Sequence, residues 1–179
     1  MRQTVYEPGQ DSLMLLRIAE RVPAGSRVLD VGCGSGIISV AAASAGAVVT
    51  AVDVNDRAVE STRRATAGLN VHVAKSGLLQ NVRGGFDYIF FNAPYLPASA
   101  DGADDAAWTG GKSGNELIFS FLSQVRGHLT EKGRAFFTCS SLAGFGALEK
   151  KLGELGFRFR VALEEHAGLM ETLRVYQVW

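Results

Sequence analysis

The stretch V-L-D-V-G-C-G-S-G at residues 28–36 constrains the fold more than any other part of the chain. A short apolar run rich in β-branched residues enters a turn with glycines at 32, 34 and 36, and an alanine-rich segment with helical spacing follows. Glycine lets the backbone turn tightly and lets a ligand approach where a Cβ atom would collide. This order predicts a strand, a tight turn and a helix, the unit from which parallel sheets are built.

The rest of the chain alternates strand-like and helix-like segments in the same way. Apolar patterning predicts seven strands, at residues 27–31, 48–54, 70–74, 86–92, 133–141, 157–164 and 172–178. It predicts helices at residues 11–22, 37–45, 56–67, 115–129 and 143–155, with Asp11 or Ser12 capping the first and Asn55 or Asp56 capping the third. The fold class is therefore α/β, with a seven-stranded, mainly parallel sheet and helices on both faces. Residues 93–113 form the longest stretch without periodicity, and such stretches usually serve function.

Size and charge limit the classes of function. The 179 residues fit a single domain, residues 1–179, with a sizeable core. Eighteen basic and eighteen acidic residues give a net charge of zero, which argues against a protein that grips long nucleic acid over its whole surface. The first residues lack a secretory pattern, and no apolar run approaches the roughly 20 residues that span a bilayer. We therefore expect a cytoplasmic protein.

The residues that bind metals most often are scattered in this chain. Cys33 and Cys139 lie far apart and neither belongs to a C-x-x-C pair, which also fits a reducing compartment. Asp101, Asp104 and Asp105 lie in an Asp/Ala/Gly-rich stretch without a partner histidine, so we interpret them as solvated loop. The prediction is that the chain holds no metal.

The acidic residues around the glycine turn indicate the cofactor. Asp30 lies just ahead of the glycines, and Asp53 ends the second predicted strand, where it is placed to accept hydrogen bonds from ribose hydroxyls. A dinucleotide site favours G-x-G-x-x-G, whereas the spacing here is G-x-G-x-G. S-adenosylmethionine carries no pyrophosphate but has a cationic amino group and a sulfonium that an acidic side chain attracts. The pattern favours this cofactor, with S-adenosylhomocysteine as the product.

The N-A-P-Y segment at residues 92–95 carries a second chemical signature, directly after a predicted strand. A planar amide or exocyclic amine is a poor nucleophile because its lone pair is delocalised. The side-chain oxygen of Asn92 and the backbone carbonyl of Ala93 are suited to accept its two N–H bonds, while Tyr95 packs on the planar group and excludes water. Pro94 favours extended geometry at residue 93. Such a clamp works by positioning and by electrostatic support as positive charge develops on the nitrogen.

Three flanking motifs resemble one family. They are V-Y-E-P-G-Q-D-S-L-M-L-L at residues 5–16, the W-x-G-G-x-x-G-x-E run from Trp108 to Glu116, and A-G-L-M-E-T-L at residues 167–173. All three are similar to the HemK-type release-factor glutamine methyltransferases, in their short eukaryotic and archaeal branch, and the resemblance covers essentially the whole chain. It implies a Rossmann-like fold of the class I methyltransferases that depend on S-adenosylmethionine. It also implies a role in translation termination, by methylation of the glutamine amide in the Gly-Gly-Gln tip of a class I release factor.

The resemblance assigns residues to roles. It implies that Asn92 and the Ala93 carbonyl hold the substrate amide, with Pro94 and Tyr95 beside it. The residues that it places around the cofactor are Ser12, Asp30, Gly32, Gly34, Gly36, Asp53, Gly77, Leu78 and Asn92. It further implies a small zinc-binding activator protein, which adds a strand along the sheet edge near residues 71–74.

The chain departs from the family pattern at four places. Gln10 stands where the family usually has Glu, and Ala93 replaces a proline of the clamp. Gly77 takes the place of an Asp that meets the adenine amino group, so one hydrogen bond to the cofactor is in question. A-G-L-M-E-T-L has one residue more than the family's A-G-x-E.

Two other functions stay open on these residues. An RNA methyltransferase acting on the N6 of adenine or the N2 of guanine uses a similar clamp, and a basic patch beside Asn92 from Lys112, Arg63 and Arg64 would favour it. A catalytically weak module with the same fold is the other, because Gly77 and Ala93 both lack the family residue.

Overall fold

A computed structural model of the chain describes residues 8–95, 114–168 and 170–179. The strands are β1 (Arg27–Val31), β2 (Val48–Asp53), β3 (Val71–Lys75), β4 (Phe86–Phe91), β5 (Leu129–Ser140), β6 (Phe159–Ala167) and β7 (Glu171–Val178). The α-helices are α1 (Gln10–Ala19), α2 (Ile37–Ser44), α3 (Asp56–Ala65), α4 (Glu116–Val125) and α5 (Phe145–Glu154), with short 3₁₀ turns at Arg126–His128 and Ser141–Ala143.

The seven strands form one sheet in the order β3-β2-β1-β4-β5-β7-β6. Strands β3, β2, β1, β4 and β5 run parallel, and β7 is antiparallel to both of its neighbours, β5 and β6. The chain moves outward from β1 to β3 and then returns to β4 on the other side of β1. This reversal opens a crevice at the carboxyl ends of the central strands, where ligands bind in open α/β sheets.

Alternating side chains divide the core between the two faces of the sheet. Phe90 packs with α1 and α2 on one face, whereas its neighbour Phe91 packs with α4 and α5 on the other. Phe136 and Phe137 of β5 divide in the same way, and all four rings are buried. The predicted α/β class, with a mainly parallel seven-stranded sheet and helices on both faces, is therefore confirmed.

The structure corrects some predicted boundaries. The first helix is capped by Gly9, and Asp11 and Ser12 lie buried inside its first turn, so the predicted cap is wrong. The predicted cap at Asn55 is confirmed, since its side chain accepts from the Arg57 amide at 3.0 Å. The fourth helix ends before the predicted residue 129, because Leu129 already pairs with Phe86 of β4.

None of the helices in the described part of the chain has the length and apolar character needed to cross a membrane.

Candidate functional site

The glycine turn between β1 and α2 is fixed from two sides. The amide of Gly34 donates to Asp53 Oδ2 at 3.1 Å, and the hydroxyl of Thr62 donates to the Gly34 carbonyl at 3.1 Å. At Gly36, where φ is 87°, an added Cβ would lie 3.1 Å from Thr62 Cα, so α3 packs directly on the turn. Thr62 is fully buried on α3, and helical periodicity alone gave no sign of this role.

Asp30 is a buried acid beneath the turn. Its carboxylate is 3% exposed and accepts a hydrogen bond of 2.6 Å from the Ser39 hydroxyl of α2. Burial raises the pKa of Asp30 to about 6, the Ser39 hydrogen bond opposes this, and the negative charge of Asp53 adds to it. A cationic group that binds here stabilises the carboxylate and lowers this pKa again.

The loop after β3 continues the site beyond Asp53. Ser76 holds it closed, because its hydroxyl donates to the Leu78 carbonyl at 2.9 Å and accepts from the Asn81 amide at 3.1 Å. Leu78 has a φ of 50°, which is uncommon for a residue with a side chain. A Cβ on Gly77 would lie 3.1 Å from Gln80 Oε1, so the carboxamide of Gln80 lies beside the space that a side chain at residue 77 would fill.

These residues fit S-adenosylmethionine in chemistry. Asp30 and Asp53 present negative charge to a cationic ligand, whereas a phosphate placed between them would be repelled. Val54, directly after Asp53, is 66% exposed, and Leu78 adds a second apolar side chain, which together suit the face of an adenine ring. Val54 was missed by sequence analysis, although its position after the strand-ending acid is a usable signal.

Asn92, directly after β4, is held by two hydroxyl groups. Its Nδ2 donates to Ser12 Oγ of α1 at 2.9 Å, and its Oδ1 accepts from the Thr138 hydroxyl of β5 at 2.7 Å. Thr138 is fully buried, and Ser12 is 4% exposed. The structure thus brings together Ser12 and Asn92, which lie 80 residues apart in sequence. Thr138 is the third residue that sequence analysis missed, after Thr62 and Val54, because its pattern is that of an ordinary strand residue.

The rest of the N-A-P-Y segment lies against the start of α4. Ala93 is buried, and Pro94 and Tyr95 are half-buried. Gly114 has a φ of 87°, and a Cβ there would collide with the backbone carbonyl of Tyr95. The last glycine of the W-x-G-G-x-x-G-x-E run therefore allows close contact with the N-A-P-Y segment.

A family model described as methyltransferase small domain matches residues 9–155, which include both the glycine turn and the N-A-P-Y segment. The chain belongs to the methyltransferase small-domain family. Proteins of this family and fold use S-adenosylmethionine as the methyl donor, and the chain is therefore an S-adenosylmethionine-dependent methyltransferase.

The chain is also similar to individual methyltransferases over nearly its whole length. A putative protein N5-glutamine methyltransferase of Methanocaldococcus jannaschii is 36% identical, over 98% of this chain and 91% of that protein. The methyltransferase HEMK2 of Homo sapiens is 30% identical, over 96% of this chain and 87% of that protein. The solved structure of the E. cuniculi Mtq2–Trm112 complex, described as responsible for methylation of the eRF1 translation termination factor, matches with a TM-score of 0.77 and 27% identity, over 97% of this chain and 96% of that chain. The resemblance predicted from the flanking motifs is confirmed.

The predicted site residues on or after strands lie toward the carboxyl ends of β1 to β4, and Ser12 of α1 reaches them through its hydrogen bond with Asn92. The full set, all within the described residues, is Ser12, Asp30, Gly32, Gly34, Gly36, Asp53, Gly77, Leu78, Asn92, Ala93, Pro94 and Tyr95. Trp108, Lys112 and the three aspartates at 101, 104 and 105 lie outside the described residues. Within the described part of the chain, no cluster of three or more His, Cys, Asp or Glu residues is arranged to hold a metal ion.

Proposed function

We propose that this methyltransferase modifies the side-chain amide nitrogen of glutamine in the Gly-Gly-Gln tip of a class I release factor. The observation that carries the proposal is the fixed carboxamide of Asn92, held at 2.9 Å by Ser12 and at 2.7 Å by Thr138. The relatives named for glutamine methylation, and the complex that methylates eRF1, support the same substrate class.

The clamp residues act on the planar amide of the substrate. Asn92 Oδ1 accepts one N–H, since a carbonyl oxygen has a second lone pair beside the one that Thr138 uses. The Ala93 carbonyl accepts the other N–H. Both hydrogen bonds orient the nitrogen and strengthen as positive charge develops on it during transfer. Tyr95 covers the amide and excludes water, and no strong base is needed before the methyl group moves.

The cofactor residues act on the methyl donor, which supplies an electrophilic methyl group when bound. Asp53, whose carboxylate is fixed by the Gly34 amide at 3.1 Å and the Asn55 amide at 2.8 Å, would accept from the ribose hydroxyls. Asp30 would attract the cationic amino acid part. Val54, Leu78 and the Gly77 loop would hold the adenine ring.

Labelled methyl transfer tests this function. The chain is incubated with labelled S-adenosylmethionine and a class I release factor, in its natural form and with Gln→Asn in the Gly-Gly-Gln tip. We expect the natural factor to be labelled and the Gln→Asn variant not to be. Equal labelling of both contradicts the proposal. Asn92→Ala, with a melting temperature measured beside it, is expected to abolish transfer, whereas the affinity for S-adenosylhomocysteine should fall much less because Asp30 and Asp53 remain.

Among the described residues, Arg63 and Arg64 do not form the basic patch at the clamp that would favour the RNA alternative. Arg63 Nη2 donates to the Val73 carbonyl at 3.3 Å, and Arg64 lies 4.0 Å from Glu60 on the same helix. Their helix, α3, packs on β2 and β3, whereas β4, which Asn92 directly follows, lies on the other side of β1. Transfer to RNA in the same labelling experiment would revive this alternative.

The affinity for the cofactor distinguishes an active methyltransferase from the catalytically weak module. The weak-module alternative is based on Gly77 and Ala93. However, Asp30, Asp53 and the glycine turn supply the main groups that S-adenosylmethionine needs. We expect titration calorimetry to detect binding of S-adenosylhomocysteine strong enough to yield a dissociation constant. The absence of heat, including with a partner protein present, favours an inactive module.

We also propose a small zinc-binding activator, related to the Trm112 of the E. cuniculi complex, at the edge of β3 with which no other described strand pairs. The amide of Val49 donates to the Asn70 carbonyl, and Ser76 donates to Asp53, so even-numbered residues of this segment face β2. The backbone groups of residues 71, 73 and 75 therefore point away from β2, where an added strand can pair. Val73 offers its amide there, whereas the Val71 amide donates to the Leu69 carbonyl at 2.9 Å and Asn81 Nδ2 donates to the Lys75 carbonyl at 3.4 Å. Arg63 already occupies the Val73 carbonyl, and the incoming strand competes with it.

A proline scan tests this edge. Val73→Pro removes one outward N–H while leaving the pairing with β2 intact, and Val73→Ala keeps that N–H as a matched control. With a Trm112-type protein from the same source, we expect copurification with Val73→Ala and not with Val73→Pro. Full activity of the isolated, monomeric chain contradicts the need for an activator.

We further propose that residues 1–179 form one domain and that the protein is cytoplasmic, where translation termination takes place. Strands β1 and β7 come from opposite ends of the sequence and belong to one sheet, which supports the single domain.

A further inference from the structure

Four polar side chains form a continuous chain of hydrogen bonds through Asn92. Thr138 donates to Asn92 Oδ1 at 2.7 Å, and Asn92 Nδ2 donates to Ser12 Oγ at 2.9 Å. The Ser12 hydroxyl in turn lies 3.4 Å from Asp11 Oδ1, which also accepts the Ser12 amide at 2.7 Å. Three elements contribute to this chain: α1, the end of β4 and β5.

The carboxylate of Asp11 sets the direction of these hydrogen bonds. A carboxylate only accepts, so the single proton of the Ser12 hydroxyl points to Asp11 and Ser12 Oγ is left to accept from Asn92. The amino group of the Asn92 carboxamide must then face Ser12, and its oxygen must face Thr138. Thr138 is fully buried within β5, and among the described residues its hydroxyl is the one donor to this oxygen.

The orientation matters because a carboxamide has two unlike ends. With the oxygen toward Thr138, one lone pair remains for a substrate N–H. Turned by 180°, Asn92 would present its amino group to the amino group of the substrate, and two donors repel. A chain of hydrogen bonds that includes a carboxylate also polarises its members, which places more negative charge on Asn92 Oδ1.

We infer that Thr138 is a positioning residue for methyl transfer: its hydroxyl, opposite Ser12 and Asp11, fixes the acceptor end of Asn92 toward the substrate amide. This inference rests on the proposed function for its kinetic consequence. The orientation of Asn92 is a property of the chain alone and is measured without any substrate.

Kinetics with the release factor test the role. Thr138→Val replaces the hydroxyl by a methyl group of similar size, and Thr138→Ser keeps the donor. We expect Thr138→Val to lower kcat at least about tenfold, as the loss of one fixed hydrogen bond to a buried polar group implies, while the affinity for S-adenosylhomocysteine stays unchanged. Thr138→Ser should restore most of the rate. A kcat of Thr138→Val equal to that of the natural chain, or a loss in Thr138→Ser as large as in Thr138→Val, overturns the inference.

The substrate-free measurement uses NMR of the chain saturated with S-adenosylhomocysteine. The Asn92 side-chain amide signals are assigned by their loss in Asn92→Asp. We expect a nuclear Overhauser effect between the Asn92 amide protons and Ser12 Hβ in the natural chain, and its loss in Thr138→Val. Should Thr138→Val fail to fold, Thr138→Ala removes the same donor at a smaller packing risk. Absence of this effect in the natural chain overturns the inference, whereas its presence without any methyl transfer overturns only the proposed function.

Discussion

The negative charge of Asp30 has opposite effects on two properties: it attracts the cationic cofactor, but because it is buried it lowers the free energy of unfolding. Its pKa is raised to about 6 because the carboxylate is buried, so the folded chain holds this proton more tightly than the unfolded chain. Folding stability through this group is therefore highest below about pH 4 and falls as the pH rises to and beyond about 6. The loss at pH 8 is on the order of 3 kcal/mol.

Asp30→Asn is expected to separate the two effects. Asn keeps an oxygen for the Ser39 hydroxyl but carries no charge, so the free protein should melt at a higher temperature at pH 8, with the gain shrinking toward pH 4. Its affinity for S-adenosylmethionine should fall at least about tenfold, because a hydrogen-bonded charge is lost. Differential scanning calorimetry and titration calorimetry over this pH range check both. A lower melting temperature at pH 8 contradicts the argument.

Gly77 is the residue where the chain departs from its family at the cofactor. A side chain there would meet only Gln80 Oε1 at 3.1 Å, the flexible end of an exposed residue, so Gly77→Asp should fold normally. We expect the added acceptor to raise the affinity for S-adenosylhomocysteine by about tenfold. Calorimetry measures this, with Gln80→Ala as a companion. Unchanged affinity in Gly77→Asp, together with a loss in Gln80→Ala, means that the Gln80 carboxamide already serves as that acceptor.

At the scale of elements, Gly114 ties the start of α4 to the clamp after β4. A Cβ at this glycine would meet the Tyr95 carbonyl and would lie 3.0 Å from Ala143 Cβ. Gly114→Ala should therefore displace Tyr95 and lower kcat strongly, while cofactor binding changes little. Gly153→Ala is the matched control, since its site in α5 is open and alanine favours helix by about 1 kcal/mol. Equal activity of both variants would show that the contact does not hold the clamp.

The N-terminal helix is joined to the β6–β7 hairpin through Gln10. Its Nε2 donates to Glu165 Oε2 at 3.0 Å and to the His166 carbonyl at 3.2 Å, and Arg17 pairs with Glu165 as well. This explains the departure from the family's Glu, because a second carboxylate would face Glu165 and a carbonyl oxygen. The hydrogen bond from Gln10 and, to a smaller extent, the one from Arg17 hold the pKa of Glu165 below its usual range.

Gln10→Glu is therefore expected to lower the melting temperature by a few degrees at neutral pH, on the order of 1 kcal/mol for an exposed pair. The exchange Gln10→Glu with Glu165→Gln should restore part of this loss, because a carboxamide again faces a carboxylate. Thermal melts at low and high salt measure the effect, which salt should reduce. A melting temperature of Gln10→Glu equal to that of the natural chain counts against this account.

The elements themselves followed from patterns in the sequence, and the contacts between them did not. The apolar run at residues 86–92 predicted β4, and the glycines marked the turn before α2, because both signals are local. Thr62 and Thr138 lie on ordinary helix and strand positions, and only the packing of α3 and β5 brings their hydroxyls to the site. Likewise, the A-G-L-M-E-T-L motif did not indicate that Glu171 accepts from the Ser140 hydroxyl of β5 at 2.6 Å.

For the whole molecule, zero net charge supports a protein substrate and makes a prediction about salt. A methyltransferase that grips RNA through six to ten phosphate contacts loses roughly 10³–10⁵ in affinity between about 50 and 200 mM salt. A neutral chain that recognises an exposed glutamine tip depends mainly on shape and hydrogen bonds at the clamp. We therefore expect the KM for the release factor to change by less than about fivefold over that range.

Steady-state methylation at several salt concentrations measures this dependence, with the affinity for S-adenosylhomocysteine at each concentration as the internal control. A steep rise in KM at constant cofactor affinity would place clustered cations at the substrate interface. Within the described residues, Arg63 and Arg64 already contact groups of α3 and β3, so such cations would have to come from elsewhere in the chain or from a partner. A shallow dependence leaves the clamp around Asn92 as the main source of recognition.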